Sequence, residues 1–105
     1  MSVRVVKVNH SQSNFTRYIG RAWAGLPDSI YHNPFHVGKD GNRDEVLLKF
    51  ILYWYSPLQL NIRTSALREI KETDVIGCWC KPLNCHGDII AGYLDWKRHE
   101  DGLFV

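Results

Sequence analysis

The stretch DVIGCWCKPLNCHGDIIAGYLDWK, residues 74–97, decides the fold class of this 105-residue chain. Its first part, 74–80, alternates in the period-two pattern of a β-strand. After the turn KPLN, apolar residues recur at helical spacing over 89–96. A strand, a short loop and a helix in succession form the repeating unit of α/β proteins. The stretch therefore predicts an α/β domain with this strand in the centre of its sheet.

The rest of the chain predicts two further strands and two further helices. The valine-rich segment 3–8 and the short apolar segment 17–20 have strand composition. Acidic residues followed by apolar residues at helical spacing predict a helix over 42–57. A second helix is expected to start at residue 64 or 65 and to end near residue 72. The predicted architecture is one domain over 1–105, with a single-layer, partly parallel sheet of about three or more strands flanked by about three helices. Trp54, Trp79 and Trp96, in two of the predicted helices and the central strand, are expected to be core residues.

Composition restricts the classes of function. The net charge is +2 and the charges are interspersed, which argues against nucleic acid as a partner because duplex-binding domains carry clustered cations. No apolar stretch approaches the length of a membrane span, and the first residues have no long apolar signal core. Three closely spaced cysteines do not make a secreted disulfide framework, so reduced thiols in a cytoplasm are expected. The apolar tail at 102–105 could pair with a second copy of the chain.

Residues 21–41 form a long irregular segment, because glycine, proline and asparagine recur throughout it. A loop of that length is uncommon in a small domain unless it is functional or disordered. Five apolar residues favour function over disorder, since they could anchor the loop to the domain. They are Trp23, Ile30, Tyr31, Phe35 and Val37.

The cysteine-rich turn after the central strand admits three interpretations. Cys78, Cys80, Cys85 and His86 are the residue types of a tetrahedral zinc site, although their spacing departs from that of the usual structural sites. Alternatively, Cys85 is a thiol activated at a helix N-terminus, with His86 as its base and Asp88 as the residue that orients the base. In the simplest interpretation Cys78 and Cys80 are small core residues.

The same turn could also hold an anion. The backbone at 86–88 opens a helix, where unpaired N–H groups and the helix dipole favour negative charge, and a glycine lets a phosphate or carboxylate approach. Arg21, after the second strand, could clamp such a group with its planar fork of donors. His32 and His36 flank the turn NPF and could titrate near neutral pH. The structural alternatives are a capped helix, a surface arginine and a simple turn.

The motifs YIGR, NPF, GCWC and CHGD, in this order, resemble a small domain-of-unknown-function family of phages and bacteria, the one numbered 4326. The resemblance implies an α/β fold and a bacterial or phage cytosolic protein, and it implies no particular activity. The segment AWAGLPDSIYH, between Arg21 and Asn33, is longer than the link into NPF expected for that family. The matching positions are Tyr18, Gly20, Arg21, Asn33, Pro34, Phe35, Cys78, Cys80, Cys85, His86, Gly87 and Asp88.

These observations lead to one spatial hypothesis. Ligands of open α/β sheets bind beyond the carboxyl ends of the strands, so the ends of the first two strands, the 21–41 loop and the turn at 80–88 should converge on one pocket. The predicted ligand is a small anion, a nucleotide or nucleoside derivative, and turnover is left open. The predicted ligand-binding residues are Tyr18, Gly20, Arg21, Asn33, His36 and Gly87, and the predicted catalytic residues are His86, Asp88 and Cys85. The alternative is a zinc-stabilised structural or protein-interaction module that uses Cys78, Cys80, Cys85 and His86.

Overall fold

Three parallel strands form the sheet, and the cysteine-containing strand lies at its centre. This computed structural model describes residues 3–9, 14–22, 25–79 and 85–102. The strand order is β1-β3-β2, and β3 pairs in parallel with both neighbours. Every residue of β3 is buried, as is typical of a central parallel strand covered on both faces. The strands are β1 (Arg4–Lys7), β2 (Arg17–Tyr18) and β3 (Val75–Cys78).

Three α-helices and one 3-10 turn accompany the sheet: α1 (Arg43–Trp54), the turn Pro57–Gln59, α2 (Leu60–Glu69) and α3 (His86–Gly102). The predicted start of α2 at residue 64 or 65 was wrong. Ser56 caps the 3-10 turn by accepting from the Leu58 N–H, and this turn runs directly into α2 at Leu60. The predicted α/β class, with a small sheet and about three helices, is confirmed.

One core joins the sheet to α1 and α3, because α3 packs on β1 and β3 while α1 packs on α3. Trp54 is fully buried, as expected for a core aromatic residue. Trp96 was also predicted to be a core residue, but 56% of its surface is exposed. The fully buried large side chains are Trp54, Phe50, Ile19, Ile70, Ile76, Ile90, Leu94, Cys78 and Cys85.

Close packing over β3 explains its glycine. A Cβ atom at Gly77 would lie 2.9 Å from Phe15 and 3.0 Å from Val8. The segment that leads into β2 therefore crosses β3 where β3 has no side chain. The backbone N–H of Thr16 then donates to the carbonyl of Val75, which starts the pairing of β2 with β3.

The loop is anchored by fewer residues than the sequence predicted. Tyr31 is buried, and its hydroxyl donates to the carboxylate of Glu69 on α2 at 2.9 Å. Ile30 and Val37 are both 57% exposed, so they are not anchors. Trp23 lies outside the described residues.

Two further expectations concerned membrane-spanning segments and the apolar tail. None of the helices in the described ranges is long and apolar enough to cross a bilayer. Residues 103–105 of the apolar tail lie outside those ranges. Pairing of the tail with a second copy therefore stays a prediction.

Candidate functional site

A cavity of about 130 Å3 lies at the carboxyl edge of the sheet, beside the ends of β2 and β3. The loop covers one side of it, and the first turns of α1 and α3 form two others. This is the edge at which open α/β sheets bind ligands. The eleven lining residues are Gly20, Arg21, Asn33, Phe35, Val37, Arg43, Val46, Leu47, Trp79, Cys85 and His86.

The size of the cavity limits what it can enclose. An apolar cavity of about 150 Å3 holds one benzene molecule. The cavity here, at about 130 Å3, is therefore suited to one ring or one phosphate-sized group. A larger ligand would extend past the exposed side chains of Val37 and Arg43 into solvent.

Arg21 fastens the loop to the end of β2. Its Nη2 atom donates to the carbonyl oxygens of Asn33 and Phe35, at 2.7 and 2.5 Å. Its Nε and Nη1 atoms make no hydrogen bond within the described residues, so part of the guanidinium stays available to a ligand. Arg21 is thus both a structural clamp on the loop and a cation in the cavity wall.

Tyr18 supports this arrangement from outside the cavity. Its hydroxyl donates to the backbone carbonyl of Arg21 and accepts from the indole Nε1–H of Trp79 at 2.7 Å. Tyr18 therefore links the end of β2 to the residue that follows β3. Tyr18 was predicted to be a ligand-binding residue; it does not line the cavity, and its hydrogen bonds position two residues that do.

Asn33 forms the predicted turn. Its Oδ1 atom accepts from the backbone N–H of Phe35 at 2.9 Å, and the Phe35 ring packs edge-on against Tyr53. Nδ2 of Asn33 makes no hydrogen bond within the described residues. Asn33 can therefore offer two N–H donors to a ligand, while its oxygen is occupied by the turn.

His86, the first residue of α3, lies in the cavity wall with 6% of its surface exposed. Because a carbonyl only accepts, Nε2 carries the proton and donates to the carbonyl of Ile19 at 2.9 Å, and Nδ1 keeps a lone pair. Burial lowers the pKa of His86 to about 4, and the hydrogen bond to Ile19 offsets only part of that effect. The imidazole is therefore neutral at pH 7.

Cys85 lines the cavity with its sulfur 2.8 Å from that of Cys78. Its hydrogen bond to Cys78 and its burial both raise the pKa of the Cys85 thiol. A thiol activated at a helix N-terminus requires the opposite direction. Cys85 is therefore not an activated thiol at neutral pH, and Cys78 is the core residue that the simplest interpretation predicted.

Asp88 and Gly87 shape the start of α3 and do not line the cavity. The Asp88 carboxylate accepts from the backbone N–H of Cys85 at 3.1 Å, which is half of a capping box. A Cβ atom on Gly87 would lie 2.8 Å from Val5 and 3.0 Å from Ile19, so this glycine allows α3 to pack against the sheet. Asp88 was predicted to be an acid or base and Gly87 a ligand contact; the structure places both beside the cavity wall, at the start of α3.

His36 also lies outside the cavity wall. Its backbone N–H donates to the carboxylate of Asp40 at 2.8 Å, and its carbonyl accepts from the Asp40 N–H. His36 therefore belongs to the turn before α1. Of the nine predicted site residues, the structure brings five together in the cavity wall, namely Gly20, Arg21, Asn33, Cys85 and His86.

The other six lining residues were not among the predicted site residues, and two of them, Arg43 and Trp79, carry side-chain hydrogen-bond donors. Trp79 was assigned to the core, but it is only half-buried. Arg43 is exposed at the first position of α1. The sequence could have indicated Arg43 as a site residue. A basic residue at a helix N-terminus interacts unfavourably with the helix dipole, so its presence there suggests a function other than stabilising the helix.

The electrostatics of the cavity favour negative charge. Arg21 and Arg43 are the charged residues of its described wall, and none of the eleven lining residues is Asp or Glu. The N-termini of α1 and α3 both contribute lining residues, and each carries a partial positive charge. An anion would therefore meet favourable charge on several sides.

A family model described as Domain of unknown function (DUF4326) matches residues 3–96. The chain belongs to this family. The match confirms the family inferred from the motifs, and it spans every residue that lines the cavity. No curated protein and no solved structure gave a significant match.

The zinc alternative gains no support in this DUF4326 chain. Within the described residues there is no group of three or more His, Cys, Asp or Glu side chains that could hold a metal ion. Nε2 of His86 is occupied by the carbonyl of Ile19, and Cys80 lies outside the described residues.

Proposed function

We propose that the protein binds a small anionic ligand, a nucleotide or nucleoside derivative, with its charged group in the cavity at the carboxyl edge of the sheet. The observation that carries the proposal is the pair of arginines, Arg21 and Arg43, beside two helix N-termini in a wall without acidic residues. The ligand would be met in the cytoplasm of a bacterium or of a phage-infected cell, as the family resemblance implies.

The shape of the wall favours a ligand with both an anionic and a ring component. Arg21, Arg43 and the Asn33 amide supply donors for a phosphate or carboxylate. Trp79 and Phe35 supply aromatic surface, on which a base or sugar can pack. Since the cavity encloses only one phosphate-sized group, the nucleoside part would lie at the exposed side, near Val37.

Binding without turnover is the function that the geometry supports best. Of the three predicted catalytic residues, only His86 combines a place in the wall with a lone pair at Nδ1. A general base works best when its pKa lies near the operating pH, whereas burial holds the pKa of His86 at about 4. His86 is therefore better suited to accept a hydrogen bond from a ligand than to remove a proton.

A thermal-shift screen with inorganic phosphate and nucleoside monophosphates tests the proposal. A ligand at 100 times its Kd adds about 2.7 kcal/mol to the free energy of unfolding, which raises Tm by about 10 °C or more in a domain of this size. Arg43→Gln is expected to weaken the binding about 10-fold or more, since a charge-assisted hydrogen bond contributes about 1.5–3 kcal/mol.

Arg4→Gln is the matched control, because Arg4 is also exposed and lies on β1 outside the cavity wall. Both variants remove one positive charge, so a difference between them reports on the cavity rather than on net charge. Equal weakening in the two variants, or no stabilisation of the wild-type protein by any member of the panel, would contradict the proposal. Arg21→Ala is less informative because it also releases Asn33 and Phe35.

A further inference from the structure

Two thiols face each other at the junction of β3 and α3. The sulfur atoms of Cys78 and Cys85 are 2.8 Å apart, less than 1 Å longer than the ~2.05 Å of a disulfide bond. Cys78 ends β3, and Cys85 immediately precedes α3. No disulfide bond joins these two residues in the structure. A small movement at this junction would bring the two sulfurs into bonding distance.

The cavity offers a reagent a route to this pair. Cys78 has no exposed surface, and Cys85 has 2%. Cys85 is one of the lining residues, whereas Cys78 is not. A molecule that enters the cavity would therefore meet the sulfur of Cys85 before that of Cys78.

We infer that Cys78 and Cys85 form a reversible disulfide by exchange with a small-molecule disulfide that enters through the cavity. The Cys85 thiolate attacks one sulfur of the reagent, forming a mixed disulfide and releasing one thiolate. Cys78, after losing its proton, then attacks the sulfur of Cys85 and releases the second half of the reagent. The protein loses two protons and two electrons, and the reagent takes up both electrons as two thiols.

The bond would act on the ligand site that we proposed above. The bond would join the residue before Trp79 to the residue before His86, so it would connect two parts of the cavity wall covalently. A ligand in the cavity would in turn shield Cys85. This regulatory part of the inference rests on the proposed function, whereas formation of the disulfide does not.

The environment of the pair predicts a slow reaction. The Cys78 hydrogen bond and burial raise the pKa of Cys85, so little thiolate is present at neutral pH. The rate should therefore rise with pH across the neutral and mildly alkaline range. Slow exchange of this kind suits a pair that stays reduced until the reagent is abundant.

Oxidation of the folded chain by 2-hydroxyethyl disulfide tests the chemistry. Cys80→Ser leaves only the two cysteines of interest, and wild-type protein is treated in parallel. After oxidation, the protein is unfolded and its free thiols are alkylated. Mass spectrometry should then find an unalkylated species that is two hydrogen atoms lighter than the reduced protein before alkylation. Its peptides should contain a cross-link between Cys78 and Cys85 that dithiothreitol removes. Products that stop at the mixed disulfide, or that keep both thiols free, would overturn the inference.

The route of access is tested by narrowing the exposed side of the cavity. Val37→Trp should slow oxidation several-fold, because Val37 is a lining residue with 57% of its surface exposed. Ile30→Trp is the matched control, since Ile30 is equally exposed and is not a lining residue. Equal rates in these two variants would show that the reagent does not enter through the cavity.

Inorganic phosphate separates this inference from the proposed function. If phosphate binds and slows oxidation, both are supported. If phosphate binds and the rate is unchanged, occupancy of the cavity does not control the thiols, and that part of the inference fails. If nothing in the ligand panel binds while the cross-link forms and Val37→Trp slows it, the proposed function fails alone.

Discussion

The first turns of α1 and α3 border the same cavity under opposite conditions. α1 starts in contact with water, with a complete capping box in which Asn42 and Glu45 each accept the other's backbone N–H. α3 starts inside the protein, where His86 and Gly87 are buried and Asp88 accepts from Cys85. One helix start is solvated and the other is enclosed.

This difference determines what each helix can contribute to a ligand. The solvated start can carry Arg43, a permanent cation, because water screens its unfavourable position at the positive end of the helix dipole. The enclosed start cannot carry a charge cheaply, so its histidine is neutral and offers a lone pair. Of the two helices, α1 thus supplies a permanent cation to the cavity and α3 supplies a neutral acceptor.

Acidification should affect the enclosed helix start most strongly. The pKa of His86 is lowered from 6.5 to about 4 in the folded protein, so between these values the unfolded chain binds a proton that the folded chain does not. The stability associated with neutral His86 is therefore complete above pH 6.5 and is lost as the pH falls toward 4. The expected loss is about 3 kcal/mol, from 1.36 kcal/mol per pKa unit.

Urea denaturation of the wild-type protein and His86→Gln at several pH values measures this loss. Glutamine can still donate to the carbonyl of Ile19, so the variant keeps that hydrogen bond without a titrating group. Asp40 and Asp74, whose lowered pKa values also erode stability in acid, are common to both proteins and cancel in the difference. If the free energy of unfolding changed with pH equally in the two proteins, protonation of His86 would not destabilise the folded state.

Packing gives the next largest effect. Gly87→Ala should lower the free energy of unfolding by about 1–3 kcal/mol, because the new Cβ would crowd Val5 and Ile19 and core overpacking costs that much. Gly92→Ala, in the same helix, should raise it by up to about 1 kcal/mol, since Gly92 is exposed with no atom within 4 Å of its Cβ position. Thermal or urea unfolding of the two variants measures both changes. Similar effects would show that Val5 and Ile19 can move away from a side chain at the start of α3.

Local signals in the sequence were sufficient to predict the elements that carry the cavity. Strand composition identified β3, and the acidic first turn identified α1 close to Asn42. The helical spacing of apolar residues could not reveal that Trp96 is exposed. The helix α3 has 17 residues and the strand β3 has four, so α3 extends well beyond the strand.

The candidate site was predicted in part, for a related reason. Arg21, Asn33 and His86 were placed at one cavity by the general geometry of α/β sheets. Asp88 and Gly87 have residue types suited to chemistry or ligand contact, yet Asp88 accepts from the backbone of Cys85, and Gly87 lies where a side chain would crowd Val5 and Ile19. Arg43 was missed because its place in the wall depends on how the loop packs beside α1, which no local pattern encodes.

The smallest expected effect concerns the solvated helix start. Arg43 has no ion pair within the described residues, and it lies at the end of α1 where a cation is unfavourable. Arg43→Gln should therefore stabilise the ligand-free protein by about 0.3–0.5 kcal/mol, which raises Tm by about 1–3 °C, and the gain should shrink as salt is added. Arg43→Lys, which keeps the charge, should leave Tm unchanged. If Arg43→Gln is more stable than the wild-type protein without ligand and binds phosphate more weakly, Arg43 contributes to binding and destabilises α1. A less stable Arg43→Gln would instead give Arg43 a structural role and remove one of the two cations on which the proposed function depends.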